Sequence, residues 1–321
     1  MDVWIDITNA PHVPFFKVLI EKLEKRSIDY SVTSRKHKFI AELLELYDID
    51  YVEFGRYGKT LYEKLYESTK RIEELAKYVH RLKPDIGVAK HSVELPRVCF
   101  GFKIKSIFVL DNEYAEAQNK LTLPIVDTVV VPECLKLKLN HAELIKFKGV
   151  CEVANVKAKA EDDFEVEKPE KTVLVRPPPR YASYLDKKDD TKIIVRKLLD
   201  MGLNVIYIAR DNERIDGAVT PDRVFSSVNL LSKIRVMIGG GGTMNRESAL
   251  LGTPTVSFYP GKKLAVDRYL IKLGLIESAD VDKVIENLPK YIKRGRKKID
   301  LKAFEDPTDK ILEKILEISR C

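Results

Sequence analysis

Short runs rich in β-branched residues alternate along this chain with segments whose apolar residues recur at helical spacing. Such alternation predicts strand–helix–strand units, which build parallel sheets covered by helices. In the first helical segment, Phe16, Leu19 and Leu23 fall on one face and charged residues on the other. The predicted strands of the first half are VWIDI (3–7), YSVTS (30–34), YVEF (51–54), DIGVAK (85–90), SIFVLD (106–111) and TVVVP (128–132).

The same plan returns in the second half, after a connection rich in charged residues at 156–172. A chain of 321 residues has room for two domains that each bury a core. We therefore expect an α/β protein of two Rossmann-like domains, the first over residues 1–155 and the second over 168–305. The predicted strands of the second half are TVLVRP (172–177), NVIYIAR (204–210), RVFSS (223–227), VMIGG (236–240) and TVSFYP (255–260), with helices at 191–202 and from about Thr243.

The last segment predicts a helix of its own. Asp306 can cap its first N–H groups, and Pro307 suits the first helical position because it lacks an N–H. We expect this terminal helix, residues 306–321, to pack back on the first domain.

Charge and cysteine content narrow the classes of function. The 56 Lys and Arg against 49 Asp and Glu give a net charge of +7 that is spread along the chain, so no nucleic-acid partner is expected. The basic cluster KYIKRGRKK (290–298) is interpreted as a solvated helix end, with RNA binding as the alternative. The scattered cysteines lack metal-ligand spacing and predict free thiols in a reducing compartment.

The chain also carries no run of roughly 18 apolar residues, the length of a spanning helix, which favours a cytoplasmic protein. The segment LYEKLYESTKRIEELAKYVHRLK (61–83) predicts a basic amphipathic helix. A solvated helix with one face on the sheet is the first interpretation, and a membrane-surface or partner-docking face is the alternative. A location peripheral to a membrane therefore stays open.

Four consecutive glycines, residues 239–242, stand between a predicted strand and a predicted helix in a chain with only 15 glycines. Glycine permits positive φ and close approach to the backbone. In a parallel sheet, ligands bind where strands lead into helices, and the N–H groups of a helix start favour phosphate oxygens. We therefore predict a phosphate cradle at Gly240, Gly241 and Gly242, with Thr243 capping the helix and donating its hydroxyl to a phosphate.

Glu247 lies one helical turn beyond Thr243, a separation that suits a ribose diol. The alternative is a tight turn followed by a surface glutamate. No GxxxxGK[ST] loop is present, so ATP hydrolysis of the P-loop type is not expected.

These features together resemble the GT-B fold, in which two Rossmann-like domains with parallel sheets face each other across a cleft. Nucleotide-sugar glycosyltransferases and non-hydrolysing UDP-N-acetylglucosamine 2-epimerases share that fold. The whole chain more closely resembles a largely archaeal family of unknown function that is related to those enzymes. The segments that carry this resemblance are WIDITNAPHVPFF, VRPPPRYASY, IGGGGTMNRESALLGTP and FYPG.

The resemblance implies roles for the glycine turn. In the epimerases a serine-glycine-glycine turn holds the diphosphate and a following glutamate holds the ribose. Gly241, Gly242 and Thr243 stand at the turn here and Glu247 at the glutamate, whereas the serine is missing. The missing contact would come from the backbone or from Thr243.

Polar residues follow three predicted strands of the first half. His12 comes after the first strand, His91 after the fourth, and Asp111 and Glu113 at the end of the fifth. Because the carboxyl ends of parallel strands meet at one edge, we predict these four as catalytic residues. His12 could act as the base for an acceptor hydroxyl or bind a sugar or phosphate oxygen, and which of the four is the base stays open. The alternatives are a helix cap for His12 and a cap or ion pair for each carboxylate.

In the epimerases, two strand ends of the first domain resemble the ends of the fourth and fifth predicted strands of this chain. A glutamate of theirs matches Glu113, but the aspartate of their histidine-glycine-aspartate turn is absent, and Ser92 stands near its place. Since epimerisation needs both acid and base groups, this departure disfavours it.

Three arginines follow predicted strands of the second half. Arg176 and Arg180 flank the prolines of VRPPPRY, and Arg210 ends NVIYIAR. Guanidinium groups suit bidentate contacts with phosphate, and prolines offer no N–H, so the side chains are predicted diphosphate ligands. The epimerases likewise have an arginine-containing loop there, and an ordinary exposed side chain is the alternative for Arg210.

We predict a metal-independent glycosyltransferase that takes a sugar from a nucleotide diphosphate donor of the UDP type, with no further cofactor. Helix N–H groups and arginines would stabilise the departing diphosphate, while a first-domain base takes the acceptor proton. The alternatives are an epimerase like the UDP-N-acetylglucosamine 2-epimerases and a nucleotide-sugar binding protein without turnover. The acceptor is undefined; a lipid-linked acceptor at a membrane surface and a homodimer both stay open.

Overall fold

The computed structural model of the protein describes residues 1–162, 164–179, 191–210 and 213–319. The chain divides into two compact units. Unit 1 comprises Met1–Glu161 and Phe304–Cys321, and unit 2 comprises Asp162–Ala303. Each unit is built on a parallel sheet with helices between its strands, so the predicted α/β class is confirmed.

The sheet of unit 1 has the strand order β3-β2-β1-β4-β5-β6-β7, with parallel pairing between neighbours. The order reverses direction between β1 and β4, which is where open α/β sheets bind ligands. The strands are β1 (Asp2–Ile7), β2 (Asp29–Lys36), β3 (Val52–Arg56), β4 (Ile86–Lys90), β5 (Lys105–Val109), β6 (Thr128–Pro132) and β7 (Glu143–Phe147). The helices described in this unit are α1 (His12–Glu24), α2 (Lys38–Leu46), α3 (Leu61–Leu82), α4 (Glu94–Phe102), α5 (Glu116–Thr122), α6 (Glu152–Asn155) and α12 (Pro307–Ile318).

The central strands of this sheet are apolar along their whole length because helices cover both faces. In β1, Val3, Trp4, Ile5 and Ile7 are fully buried. The apolar face of α1 packs on the same core, and Phe16, Leu19 and Leu23 are buried as the helical spacing predicts.

Two helices of unit 1 begin with side-chain caps, and the cap of α12 by Asp306 was predicted. At α3, Thr60 and Glu63 form a capping box, in which each side chain accepts a hydrogen bond from the backbone of the other. At α12, the Asp306 carboxylate accepts the Thr308 N–H at 3.0 Å. The same carboxylate accepts a hydrogen bond from Lys22 of α1 at 3.1 Å, so α12 is joined to α1.

The sheet of unit 2 has the order β12-β11-β10-β8-β9, again with parallel neighbours. Here the direction reverses between β8 and β10. The strands are β8 (Thr172–Arg176), β9 (Asn204–Tyr207), β10 (Val236–Gly239), β11 (Thr255–Ser257) and β12 (Glu277–Ser278). The helices described are α7 (Thr191–Asp200), α8 (Ser227–Lys233), α9 (Thr243–Leu250), α10 (Ala265–Lys272) and α11 (Val281–Lys293).

The strand predicted at 223–227 is wrong. Its last two residues begin a helix instead, since Ser226 caps α8 by accepting the Asn229 N–H. The Ser226 N–H donates to the Asp162 carboxylate at 2.6 Å, so this donor is not available for a ladder. The sequence patterns also missed β7 and the two-residue β12.

Three further findings bear on the expectations from composition. In the part of the chain that the structure describes, no helix combines the length and apolar character needed to cross a membrane. Cys99, Cys134 and Cys151 are free thiols, as predicted. Among the described residues, no group of three or more His, Cys, Asp or Glu is placed to hold a metal ion.

Candidate functional site

The glycine turn of unit 2 lies beside Arg176, at the point where the strand order reverses. Gly239 and Arg176 are register partners at the carboxyl ends of the neighbouring strands β10 and β8. The Gly240 N–H donates to the Arg176 carbonyl at 2.8 Å and extends this pairing past the strands. The fold therefore brings together two features that are more than 60 residues apart in the sequence, at an edge where parallel sheets bind ligands.

The glycines themselves serve two purposes. None of residues 239–242 has a φ in the left-handed region, so close approach rather than backbone conformation requires them. A Cβ at Gly239 would overlap Asn245 Oδ1, and a Cβ at Gly240 would lie 2.6 Å from the Pro178 nitrogen. The packing of the chain itself thus requires these two glycines, which the sequence interpretation assigned wholly to a ligand.

The next two glycines are less enclosed. A Cβ at Gly241 would lie 2.9 Å from Arg210 Nη2, and one at Gly242 would lie 2.7 Å from Arg246 Nη1. Both neighbours are the ends of arginine side chains rather than backbone, and Arg246 Nη1 also donates to Asp267 Oδ1 at 2.7 Å. Arg210 is held over the turn because its Nε donates to the Pro177 carbonyl at 2.8 Å.

The helix after the turn begins without a side-chain cap. Gly242 is the N-cap of α9, and Thr243 is the first helical residue, so the predicted cap by Thr243 is wrong. Among the described residues, the N–H groups of Gly241, Gly242 and Thr243 donate no hydrogen bond. Three donors at the positive end of a helix are thus left for an anion.

Arg176 forms no salt bridge with a described residue. Its Nε is shielded from solvent and has no hydrogen-bond partner among the described residues. Burial and the like charge of Arg210 lower the pKa of Arg176 to about 10, whereas the Glu247 carboxylate raises it. A guanidinium in such surroundings is destabilised unless a negative group reaches it. The arrangement suits a doubly charged ligand such as a diphosphate.

Glu247 lies within the unit rather than on its surface. It is 1% exposed, and its Oε2 accepts the Ser227 hydroxyl at 2.8 Å. This placement is against the alternative of a surface glutamate after a tight turn. The role of Glu247 in holding a ribose stays a prediction. The remaining predicted phosphate ligand, Arg180, lies outside the described residues.

In unit 1 the candidate residues gather where β4 and β5 end. His91 follows β4 with a φ of +53°, a left-handed conformation that is uncommon for histidine. Its Nε2 lies 2.8 Å from Asp111 Oδ1. Lys90 Nζ lies 2.6 Å from Asp111 Oδ2. One carboxylate therefore joins an imidazole on one side and an ammonium on the other.

Lys90 is a member of this cluster that the sequence interpretation missed. Burial by itself would lower the pKa of Lys90, but the adjacent Asp111 carboxylate outweighs burial and raises it. Lys90 stays positive, and Asp111 has a fixed counter-charge. The signal in the sequence was a single lysine at the end of an otherwise apolar strand.

His12 lies next to His91 at the end of β1. Their rings are stacked with centroids 6.3 Å apart and planes inclined by 26°. His12 is 5% exposed; burial, reinforced by the positive charge of Lys90, lowers its pKa well below the ordinary value of 6.5. It is the first residue of α1, whose N-terminus has no side-chain cap, so the cap alternative is wrong. His12 is thus a neutral imidazole, and its buried Nδ1 has no partner in the described parts of the chain.

The other two polar residues of this edge behave differently. Glu113 is half-buried in the segment between β5 and α5, and its catalytic role stays a prediction. Ser92 is fully buried and donates its hydroxyl to Asp6 Oδ2 at 2.5 Å. Arg71 of α3 holds the same carboxylate with two hydrogen bonds of 2.6 and 3.0 Å. Ser92 therefore belongs to a buried ionic network that supports the strand end carrying His91.

Sequence comparison gives two close correspondences. The family described as "Protein of unknown function (DUF354)" matches residues 1–320. An uncharacterised protein of Methanocaldococcus jannaschii is 39% identical over 336 residues, which cover 98% of this chain and 98% of that protein.

Solved structures show the same fold at low identity. UDP-GlcNAc 2-epimerase from Neisseria meningitidis, bound to UDP-GlcNAc, has a TM-score of 0.74 at 16% identity and covers 99% of this chain and 100% of its own. The UDP-GlcNAc 2-epimerase from Methanocaldococcus jannaschii has a TM-score of 0.72 at 15% identity, with coverage of 99% and 100%. The spinosyn forosaminyltransferase SpnP has a TM-score of 0.65 at 11% identity, with coverage of 99% of each chain. These likenesses confirm the predicted GT-B fold.

Proposed function

This chain belongs to the DUF354 family, and we propose that it is an enzyme that transfers a sugar from a nucleotide diphosphate donor. One observation carries the proposal. The shielded Nε of Arg176 has no hydrogen-bond partner among the described residues, and it lies beside a helix start whose first N–H groups are likewise unused there. The fold neighbours include enzymes that bind UDP-sugars, which supports the choice of a nucleotide diphosphate over a simple anion.

The charge distribution of unit 2 suits the transition state of such a transfer. As the bond between sugar and diphosphate breaks, negative charge grows on the departing phosphate oxygen. The N–H groups of Gly241 to Thr243 and the guanidinium groups of Arg176 and Arg210 would stabilise that charge, and Arg210 is already held over the turn by its bond to the Pro177 carbonyl. Metal independence remains part of the proposal.

The acceptor must lose a proton, and His91 is the proposed base. The 2.8 Å contact between its Nε2 and Asp111 fits an N–H donated to the carboxylate, which leaves Nδ1 to accept a proton. Asp111 would then stabilise the imidazolium, as an acid does in a nucleophile–histidine–acid arrangement. Lys90 contacts the other oxygen of the Asp111 carboxylate, and the buried neutral His12 packs against the ring.

The test measures binding and turnover separately. Purified protein is screened for thermal stabilisation by nucleoside diphosphates, and then incubated with the corresponding nucleotide sugars and with soluble or lipid-linked acceptors. We expect acceptor-dependent release of the diphosphate. His91→Ala should lose release but keep the stabilisation, whereas Arg176→Ala should lose both. If no nucleoside diphosphate stabilises the protein, the proposal is wrong.

Sugar epimerisation is the second candidate, favoured by the full-length likeness to two UDP-GlcNAc 2-epimerases. Ser92 argues for transfer, because it stands near the place of the epimerases' aspartate and is engaged with Asp6. Incubation with UDP-GlcNAc and no acceptor in deuterated water separates the two. Appearance of the C2 epimer with deuterium at C2 would establish epimerisation, and an unchanged donor would favour transfer. Stabilisation without any turnover would leave a binding protein.

A further inference from the structure

The first turns of α3 and the residues just before them form an exposed apolar tip on unit 1. All six residues from 61 to 66 are exposed, and burial begins only at Glu67. Four of these side chains are apolar or aromatic and lie between 53% and 85% exposed, and the preceding Tyr57 is 60% exposed. The members of this tip are Tyr57, Leu61, Tyr62, Leu65 and Tyr66. Single exposed apolar side chains are ordinary, but five in one short segment mark an interaction surface.

The tip is a rigid helix rather than a frayed end. The capping box of Thr60 and Glu63 satisfies N–H groups at the start of α3. The rings of Tyr62 and Tyr66, one turn apart, stack with centroids 6.0 Å apart. Further along, Arg71 anchors the helix to Asp6 inside the unit. The apolar side chains are therefore presented in a fixed arrangement.

Positive charge surrounds the apolar side chains. Lys59, Lys64 and Lys70 are exposed, and none of them forms a salt bridge with a described residue. Lys64 Nζ lies 5.5 Å from the centroid of the Tyr57 ring. Glu63 is an acidic side chain within the tip, and its carboxylate accepts the N–H groups of Lys59 and Thr60.

We propose that this tip inserts into the headgroup region of an anionic phospholipid bilayer. Tyrosine is favoured at that depth, leucine reaches the acyl boundary, and lysine contacts lipid phosphates. Six helical residues extend about 9 Å at 1.5 Å per residue, which agrees with an interfacial depth of about 5–10 Å. The inference goes beyond the proposed sugar transfer and does not depend on it.

A second copy of the chain is a poorer occupant. In a symmetric dimer each patch meets the same patch of its partner. Two such tips would bring the lysines of both copies together, and like charges at close range oppose that contact. Charge complementarity therefore favours an anionic lipid surface over self-association.

The test is flotation of the full chain with vesicles of phosphatidylcholine alone and of phosphatidylcholine mixed with phosphatidylglycerol. We expect binding to the anionic vesicles only, weakening as salt rises. Leu61→Ser with Leu65→Ser should lower the partition coefficient about tenfold or more. Lys59→Gln and Lys64→Gln should each lower it about fivefold and serve as a second test that leaves the apolar side chains in place.

The matched control is Leu273→Ser, which removes a leucine that is 47% exposed in unit 2 and should leave binding unchanged. Each variant is checked for wild-type circular dichroism and melting temperature. Failure of the wild type to float with anionic vesicles, or equal binding by the leucine variant, would overturn the proposal. So would a concentration-dependent oligomer that the leucine variant abolishes without any vesicle binding, since the tip would then contact a second copy.

Discussion

Replacing Arg176 with methionine should make the free protein more stable and its ligand site weaker. Methionine is similar in length but has no charge and no N–H donors. Burial is the main cause that lowers the pKa of Arg176 from its ordinary value to about 10, and each pKa unit corresponds to about 1.4 kcal/mol. The charged side chain thus costs the free protein about 3–4 kcal/mol at most.

The stability gained by replacing Arg176 will be smaller than this upper limit, because Arg176 is partly exposed and methionine packs differently. We expect the free energy of unfolding of Arg176→Met without ligand to exceed that of the wild type by about 1–2 kcal/mol. Each kcal/mol corresponds to a rise of about 2–4 °C in melting temperature. UDP at 100 times its Kd should stabilise the wild type by about 2.7 kcal/mol. Loss of charge-assisted hydrogen bonds worth about 1.5–3 kcal/mol should remove most of that stabilisation.

The assay is thermal and urea unfolding of both proteins with and without UDP. Arg196→Met is the matched control, since Arg196 is an exposed arginine on α7 of the same unit and should change neither quantity by more than about 0.5 kcal/mol. A variant that is less stable than the wild type and still gains the full stabilisation from UDP would refute the reasoning. Arg176 would then be a structural residue rather than an anion ligand.

Three further predictions concern substitutions at the glycine turn of unit 2 and at the histidine cluster of unit 1. Gly240→Ala should destabilise unit 2 in urea unfolding because its Cβ meets the backbone of residue 178, whereas Gly241→Ala should fold normally and weaken UDP binding in a titration. His12→Phe should reduce the acid sensitivity of stability: the pKa of His12 is lowered in the folded state, so the unfolded state binds more protons below pH 6.5, and the wild type loses about 1.4 kcal/mol per pH unit there. Asp111→Asn should cost about 3–5 kcal/mol because Lys90 loses its buried counter-charge, and adding Lys90→Met should recover part of that loss in the same assay.

Much of the fold could be predicted from local pattern. The runs that became β1, β4, β6 and β10 are buried on both faces, and such strands read as continuous apolar segments. The strands that were missed have weaker patterns. The edge strand β7 mixes charged and apolar residues without alternation, and β12 has only two residues. The run at 223–227 has strand-like composition, but capping by Ser226 decides its conformation.

The site could be predicted only in part. His91 and Asp111 were predicted to lie at the same sheet edge because polar residues collect at strand ends, and the two side chains are in contact. Neither Lys90 nor the bonding of Ser92 to Asp6 could be inferred, because both depend on which strands become neighbours. For the same reason the sequence could not show that Gly240 is held against the prolines after β8.

The most direct test of the anion cradle in unit 2 is a crystal structure of the protein with UDP. We expect diphosphate oxygens at about 3 Å from the N–H groups of Gly241, Gly242 and Thr243 and from the guanidinium of Arg176. A diphosphate bound elsewhere on the chain, or a glycine turn that stays empty at saturating UDP, would contradict this expectation.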